Sequence, residues 1–287
     1  MNTFTKNIAA LAFVSLMAMP LSARACTLFA ANGSVVDGGG TLVGKNRDAA
    51  PDIQFIQFNN NNKNAYYGLA CGDPNGKNMM TAGVNDKGLV IILAKTSSMN
   101  QKVRATMGPR TGIRQALGQC STVTEVLAHK EFFHGPDYVI LADATEIARV
   151  EVGDNNRLKV DRVKDGTLAH TNHFLHDEFK HLDVKEGISS RVRMNRIEHL
   201  LESTPKPLTV DSFKAFCTDT SDGPDNSLWR TGSAESKAET VFSFVVNLQK
   251  NNDFTVWLKY REKPDDISKE KVLALTKKEI FGGELSS

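Results

Sequence analysis

Cys26 follows the small-x-small triplet Ala23-Arg24-Ala25 in the stretch LSARACTLF. Ahead of it, Lys6, the apolar run Ile8 to Met19 and Pro20 complete the pattern of a secretory signal peptide over residues 1–25. That run is too short to cross a bilayer comfortably, so no stable membrane anchor is expected. A cut after Ala25 would put a thiol and a free α-amine on one residue. An α-amine titrates at about 7.7–8.0 and a plain thiol at about 8.5, so near neutrality a partly neutral amine can take the proton of its own thiol. This is one way to activate a weak nucleophile, and it is closed before the cut because a peptide nitrogen is no base. The other reading of Cys26 is a disulfide cysteine beside a cleavage site. The four cysteines, Cys26, Cys71, Cys120 and Cys217, contain no C-x-x-C pair. They fit either two disulfides or a free Cys26 with at most one bridge.

Other residues could do chemistry with Cys26 or instead of it. Gly44-Lys45-Asn46-Arg47-Asp48 gathers charge at the end of a candidate strand. Along an ideal strand Lys45 and Asp48 point to opposite faces, so both face Cys26 only if the strand ends or bulges near Arg47. The alternative is a solvated strand end. His170, His173 and His176 have H-x-x-H-x-x-H spacing, with His181 and His199 beyond. The stretch reads as a strand running into a loop, and no cysteine or clustered carboxylate accompanies it. Polar lining of a cleft rim is therefore preferred to a metal site, and no metal or organic cofactor is required. Removing residues 1–25 takes away Lys6 and Arg24, which turns 35 basic and 33 acidic side chains into 33 of each. That balance gives no reason to expect nucleic acid as a partner.

These residues need elements to hold them. From Cys26 onward the chain is rich in short strands with Gly-rich turns: Thr27–Ala31, Thr41–Gly44, Ile53–Phe58, and a hairpin from Met79 to Lys95 around Asn85-Asp86-Lys87-Gly88. Helical spacing follows at Thr111–Gly118 and Thr122–His129. Strands return at Tyr138–Ala142, Ile147–Val152, Leu158–Val163 and Thr167–His173. Ser189–Glu202 is the clearest helix, with Val192, Ile197, Leu200 and Leu201 spaced for one buried side. Val210–Thr218 is a shorter one started by Asp211. A last hairpin pairs Thr240–Leu248 with Phe254–Tyr260, and the charged tail after Glu262 suits a helix. Strands in blocks with helices between them predict an α+β layered fold with antiparallel sheets. Residues 26–287 show no linker or repeat and read as one domain.

The order of these segments resembles the N-terminal-nucleophile amidohydrolases that include choloylglycine (bile salt) hydrolase, penicillin V acylase and acyl-coenzyme A:6-aminopenicillanic acid acyltransferase. Cys26 is followed at the right distance by a G-x-N-x-D motif at Gly44–Asp48, then by an N-x-x-G-L hairpin at Asn85–Leu89. An H-T-N-H-F segment at His170–Phe174, Ser190-Arg191 opening a helix, and the closing strand Thr240–Leu248 complete the set.

The resemblance implies a four-layer αββα sandwich and cysteine-dependent cleavage of a linear amide. It makes Cys26 the nucleophile and, through its amine, the base. Asp48 would hold the amine and thiol, Asn172 would donate to the oxyanion, and Arg191 would stabilise the charged centre. Lys45 falls where the bile salt hydrolases carry an arginine and would keep the charge without the bidentate fork. Lys95 falls where they carry a second oxyanion-hole asparagine. It could donate through its ammonium, or nearby backbone N–H groups could serve. His173 would neighbour the substrate. The expected partner is a small N-acyl amide, with a homo-oligomer, tetrameric by analogy, also implied. The expected location is the periplasm or the exterior. Competing readings are an N-acyltransferase of the same family and a non-catalytic exported binding protein with Cys26 in a disulfide.

Overall fold

A computed structural model of the protein describes residues 25–49, 54–107, 111–184, 187–234, 236, 238–261 and 270–282. The expected signal peptide lies outside them except for Ala25. The chain opens with β1 (Ala25–Asn32) and β2 (Thr41–Ala49). It continues through β3 (Gln54–Asn59), β4 (Tyr66–Gly72), β5 (Asn78–Asn85) and β6 (Val90–Lys95). Three short helices follow: α1 (Gln101–Ala105), α2 (Ile113–Gln119) and α3 (Val123–Ala128). Next come β7 (Asp137–Ala142), β8 (Ile147–Val152), β9 (Leu158–Val163) and β10 (Gly166–His170). Then come α4 (Asp177–Lys180), α5 (Ile188–Ser203) and α6 (Val210–Cys217). The chain closes with β11 (Glu239–Leu248), β12 (Phe254–Arg261), β13 (Glu270–Thr276) and α7 (Lys277–Phe281).

The strands form two antiparallel sheets, one in the order β10-β1-β2-β11-β12-β13 and the other running β3 to β9 in sequence order. Between them lies a core that includes Leu28, Ala30 and Val43 from the first sheet and Leu69, Ile92 and Ile140 from the second. α2 and α3 cover the outer face of the second sheet, over Ile91, Leu93, Val139 and Leu141. α5 and α6 cover the outer face of the first, over Phe29, Ala31, Leu42 and Val245. The layers are helix, sheet, sheet, helix: the expected α+β, four-layer αββα sandwich.

Covering both faces explains β1 and β2, which are buried at every position. An ordinary half-solvated strand would alternate apolar and polar residues. Here the alternation separates two interiors. Cys26, Leu28 and Ala30 face the intersheet core, while Phe29 and Ala31 face the helices.

Three local expectations change. β10 ends at His170, three residues early, because the next N–H groups turn to side chains. α6 is started by Thr209, whose hydroxyl accepts from the Ser212 N–H in a capping box, with Asp211 already inside the helix. The tail contains edge strand β13 before its helix, and residues 262–269 lie outside the described set.

Gly44 has a packing reason. It pairs with Phe29 across β1 and β2, and a Cβ there would sit 2.3 Å from two ring carbons of Phe29. That ring is itself wedged against Phe213, with centroids 4.9 Å apart. Gly44→Val is expected to lower unfolding free energy by about 1–3 kcal/mol through overpacking. A urea denaturation midpoint equal to that of the parent would show that the Phe29 ring can swing clear.

Candidate active site

The G-x-N-x-D segment lies in the middle of the first sheet, not at a solvated strand end. Lys45, Asn46 and Asp48 are fully buried and Arg47 nearly so, an arrangement that unpaired charges rarely tolerate. β2 runs without a break through this region, so its residues alternate strictly. The register pairs Cys26 with Arg47 and Leu28 with Lys45, which puts both cations on the intersheet face with Cys26. The Lys45 ammonium donates to the carbonyls of Thr81 and Leu93, each at 2.7 Å, above the ring of Phe242. It therefore ties β2 to β5 and β6.

The opposite face of β2 looks toward α5 and α6. Asn46 donates to the carbonyls of Cys217 and Leu228 and accepts from Ser243 Oγ at 2.6 Å. Asp48 Oδ1 accepts from Thr240 Oγ1 at 2.8 Å. A register shift in β11 between Thr240 and Phe242 sits directly beside Asp48. The irregularity expected in β2 is thus found in its neighbour, where it aims Thr240. Asp48 Oδ2 has no hydrogen-bond partner and lies 3.9 Å from both Arg193 Nε and Arg230 Nη1. Burial pushes the Asp48 carboxyl above its ordinary range, against the pull of the two guanidinium groups and the Thr240 hydrogen bond.

Arg193, on α5 and only 1% exposed, organises the centre. Its Nη1 donates to the Cys26 carbonyl at 2.6 Å and to Thr27 Oγ1 at 2.9 Å, and its Nη2 donates to Asn172 Oδ1 at 3.0 Å. The Cys26 N–H donates to the same Asn172 oxygen at 2.9 Å. Two donors converge on that atom, so the amide orientation of Asn172 is dictated by its neighbours. Its Nδ2 consequently faces the Lys95 carbonyl at 2.8 Å and keeps a second hydrogen.

Asn172 belongs to a segment, residues 171–176, in which the N–H groups of Asn172, Phe174, Leu175 and His176 are held by side chains. Asn172 N donates to Ser190 Oγ and Phe174 N to Asp183 Oδ2, each at 2.9 Å. Leu175 N and His176 N donate to the two oxygens of Glu151 at 2.6 and 3.1 Å. Glu151 is buried on β8 and also meets His170 Nε2 at 2.8 Å and His176 Nδ1 at 2.9 Å. Burial alone would raise its pKa, but these hydrogen bonds and the His170 ring outweigh it and bring it down to about 2. The His170 ring stacks on Tyr138 with centroids 4.2 Å apart. Its other nitrogen faces the Thr171 carbonyl at 3.1 Å.

The structure thus brings Asn172 to the backbone N–H of Cys26, sets Asp48 on the other face of β2 at 3.9 Å from Arg193, and redistributes the remaining expected residues. Arg191 is exposed on α5, and Arg193 occupies the place expected for it beside Cys26. The reason is helical period: Ser190, Arg193, Met194, Ile197 and Leu201 make the buried stripe, and Arg191 falls off it. Arg191 instead lines a cavity of about 460 Å³ with His173, Phe174, Leu175, Lys180, Asp183 and Asn195. The cavity wall begins one residue past Asn172 and does not include Cys26. The Lys95 carbonyl accepts from Asn172 Nδ2. His170 and His176 share Glu151, whereas His173 Nδ1 lies 2.8 Å from Ser190 Oγ. Among the described residues no group of His, Cys, Asp and Glu has the arrangement of a metal site.

All four cysteines are unpaired and buried, which removes the disulfide reading of Cys26. Arg193, Arg230 and Glu151 escaped the sequence reading. An arginine inside the apolar stripe of α5 was the signal that could have found the first. Glu151 pairs with Tyr138 on the inward face of β7 and β8, so an acid at an inward position was the signal for it.

Glu151 also carries an acid-stability signature. A carboxylate with a lowered folded pKa stabilises the fold fully above its unfolded value of about 4.5 and loses that contribution as pH falls toward about 2. The melting-temperature difference between the parent and Glu151→Gln is expected to be constant above about pH 5 and to shrink below it. A difference that grows on acidification would contradict this assignment.

Residues 35–260 match the family model for acyl-coenzyme A:6-aminopenicillanic acid acyl-transferase. Among solved structures, the chain is similar to the Caenorhabditis elegans N-acylethanolamine-hydrolyzing acid amidase ortholog. The TM-score is 0.54 at 18% sequence identity, over 77% of this chain and 92% of that one. No curated protein matches by sequence search. Matched over most of its length, with an αββα sandwich and Cys26 on a central strand, the chain belongs to the acyl-coenzyme A:6-aminopenicillanic acid acyl-transferase family, within the N-terminal-nucleophile superfamily of amide-hydrolysing and acyl-transferring enzymes.

Proposed function

We propose that the protein is an exported, cysteine-dependent amidohydrolase that cleaves the C–N bond of a linear, non-peptide N-acyl amide. The observation that carries this reading is the convergence of Asn172 and Arg193 on the backbone nitrogen and oxygen of residue 26. A site built around a thiol alone has no need to hold the nitrogen. One built around an N-terminal amine does.

Residues 1–25 would serve as the export signal, giving a periplasmic or secreted enzyme. Cleavage after Ala25 converts the peptide nitrogen of Cys26 into an amine that keeps Asn172 Oδ1 as acceptor. Ala25 is the residue paired with Asp48, so the new amine emerges opposite the carboxylate whose Oδ2 lacks a hydrogen bond. The neutral amine accepts the thiol proton, and the Cys26 thiolate attacks the substrate carbonyl carbon. The oxyanion takes the second N–H of Asn172, while Arg193 opposes the negative charge gathered around Cys26. The ammonium then protonates the leaving nitrogen, the C–N bond breaks and a thioester remains. Water, losing a proton to the amine, attacks the thioester; the acid leaves and the thiol is restored. The cavity walled by His173 and Arg191 suits part of the substrate beside Asn172.

The matching family model is named for an acyl-transferase, which favours a second reading: an amine in place of water takes the acyl group. Products formed with and without an added acceptor amine separate the two.

The decisive experiment uses the processed protein and a panel of acyl amides with chromogenic leaving groups. Cys26→Ser is expected to slow cleavage by at least about 10³-fold. One residue appended before Cys26 should slow it about 10²–10⁴-fold by removing the base. Denaturing alkylation without reductant should label all four cysteines. Full activity with the extended N-terminus, or a disulfide at Cys26 in active material, would sink the mechanism.

A further inference from the structure

We propose that Glu151 is the positioning residue for Asn172, acting through the backbone of residues 171–176 and not through any contact with substrate. Asn172 is two residues past the end of β10, where the sheet stops supplying acceptors. Its direction therefore depends on what receives the following N–H groups. Glu151 receives two of them, from Leu175 and His176, and fixes the ring of His170 on the other side of Asn172. One carboxylate thus grips the chain before and after the asparagine. Asp183 takes the N–H between, from Phe174, and Ser98 in turn donates to Asp183. Tyr138 backs the whole set, stacked on His170 and edge-on to Phe174.

A carboxylate is needed for this grip. Four donors point at Glu151, and its two oxygens offer only acceptor sites. A glutamine amide would turn an N–H₂ group toward at least one N–H, leaving buried donors unpaired. The segment would shift, and with it the Asn172 amide. A displacement of about 1 Å at such a group is enough to cost about 100-fold in rate.

The kinetic half of this proposal rests on the amidase reading; the structural half does not. Two measurements on the processed protein keep them apart. Hydrogen–deuterium exchange of Glu151→Gln should show faster exchange in peptides covering 171–176, with β7 and β11 protected as in the parent. On a chromogenic acyl amide, kcat should fall about 10- to 100-fold with KM changed less than about threefold. On an Asn172→Ala background the same substitution should remove less than about threefold more, because its effect runs through Asn172. Unchanged exchange in 171–176, or losses that multiply in the double variant, would overturn the proposal. Faster exchange in a protein whose parent cleaves no amide would retain the positioning role and refute the amidase reading. Should Glu151→Gln not fold, Glu151→Asp serves in its place: it keeps the charge, withdraws it by one methylene, and is expected to move both readouts in the same direction.

Discussion

The buried guanidinium of Arg193 is the interaction on which the arrangement of this site depends. It comes from a helix and holds the carbonyl of Cys26 and the amide oxygen of Asn172 together. Those two residues are 146 positions apart in sequence and sit on neighbouring strands and their continuation. Burying a cation this deeply is unfavourable, and burial pulls the Arg193 pKa down while Asp48 opposes that pull. The rest of the site reads as compensation: Thr27, the Cys26 carbonyl, the Asn172 oxygen and, at longer range, Asp48 provide the acceptors that let the charge remain.

The charged interior is not confined to Arg193. Lys45 spans the two sheets through backbone carbonyls, and Arg149 reaches from β8 to the Ala169 carbonyl on β10 as well as to Asp161. The sandwich is therefore held by oil between its sheets and also by a few ionic pins that cross from one sheet to the other. Such pins add directional preference to a contact that apolar packing alone leaves free to slide.

The layered architecture was legible because strand blocks and helix blocks alternate visibly in the sequence. Cys26, Asp48 and Asn172 stood out in the sequence because each sits in a short, ordered motif. The motifs say less about why their residues are there. Asn85 in the N-x-x-G-L hairpin shapes the turn through Lys87 and Leu89 and anchors α2 through the Leu117 and Cys120 carbonyls. Gly88, with φ of 88°, supplies the left-handed turn position. That motif is architecture. Arg191 was singled out and Arg193 passed over because motif matching ignores helical phase, and phase decides which of two nearby arginines enters the core. Glu151 was missed because its partners lie in a segment that reads as loop, so the one local signal, an acid at an inward position of β8, had no visible purpose. The contact of the Lys95 carbonyl with Asn172 was hidden for a related reason: a strand-end residue can contribute its carbonyl whatever its side chain.

The strict alternation along β2 has a further consequence for quality control during folding. Lys45 and Arg47 point into one interior and Asn46 and Asp48 into the other. A slip of one residue against β1 would exchange the two sets and leave every charge facing the wrong layer. Lys45 would lose its carbonyls and Asp48 its guanidinium groups together. A misregistered chain could therefore be neither stable nor partly active. The polar residues that make this strand unusual in a core double as a proofreading code for the pairing that creates the site.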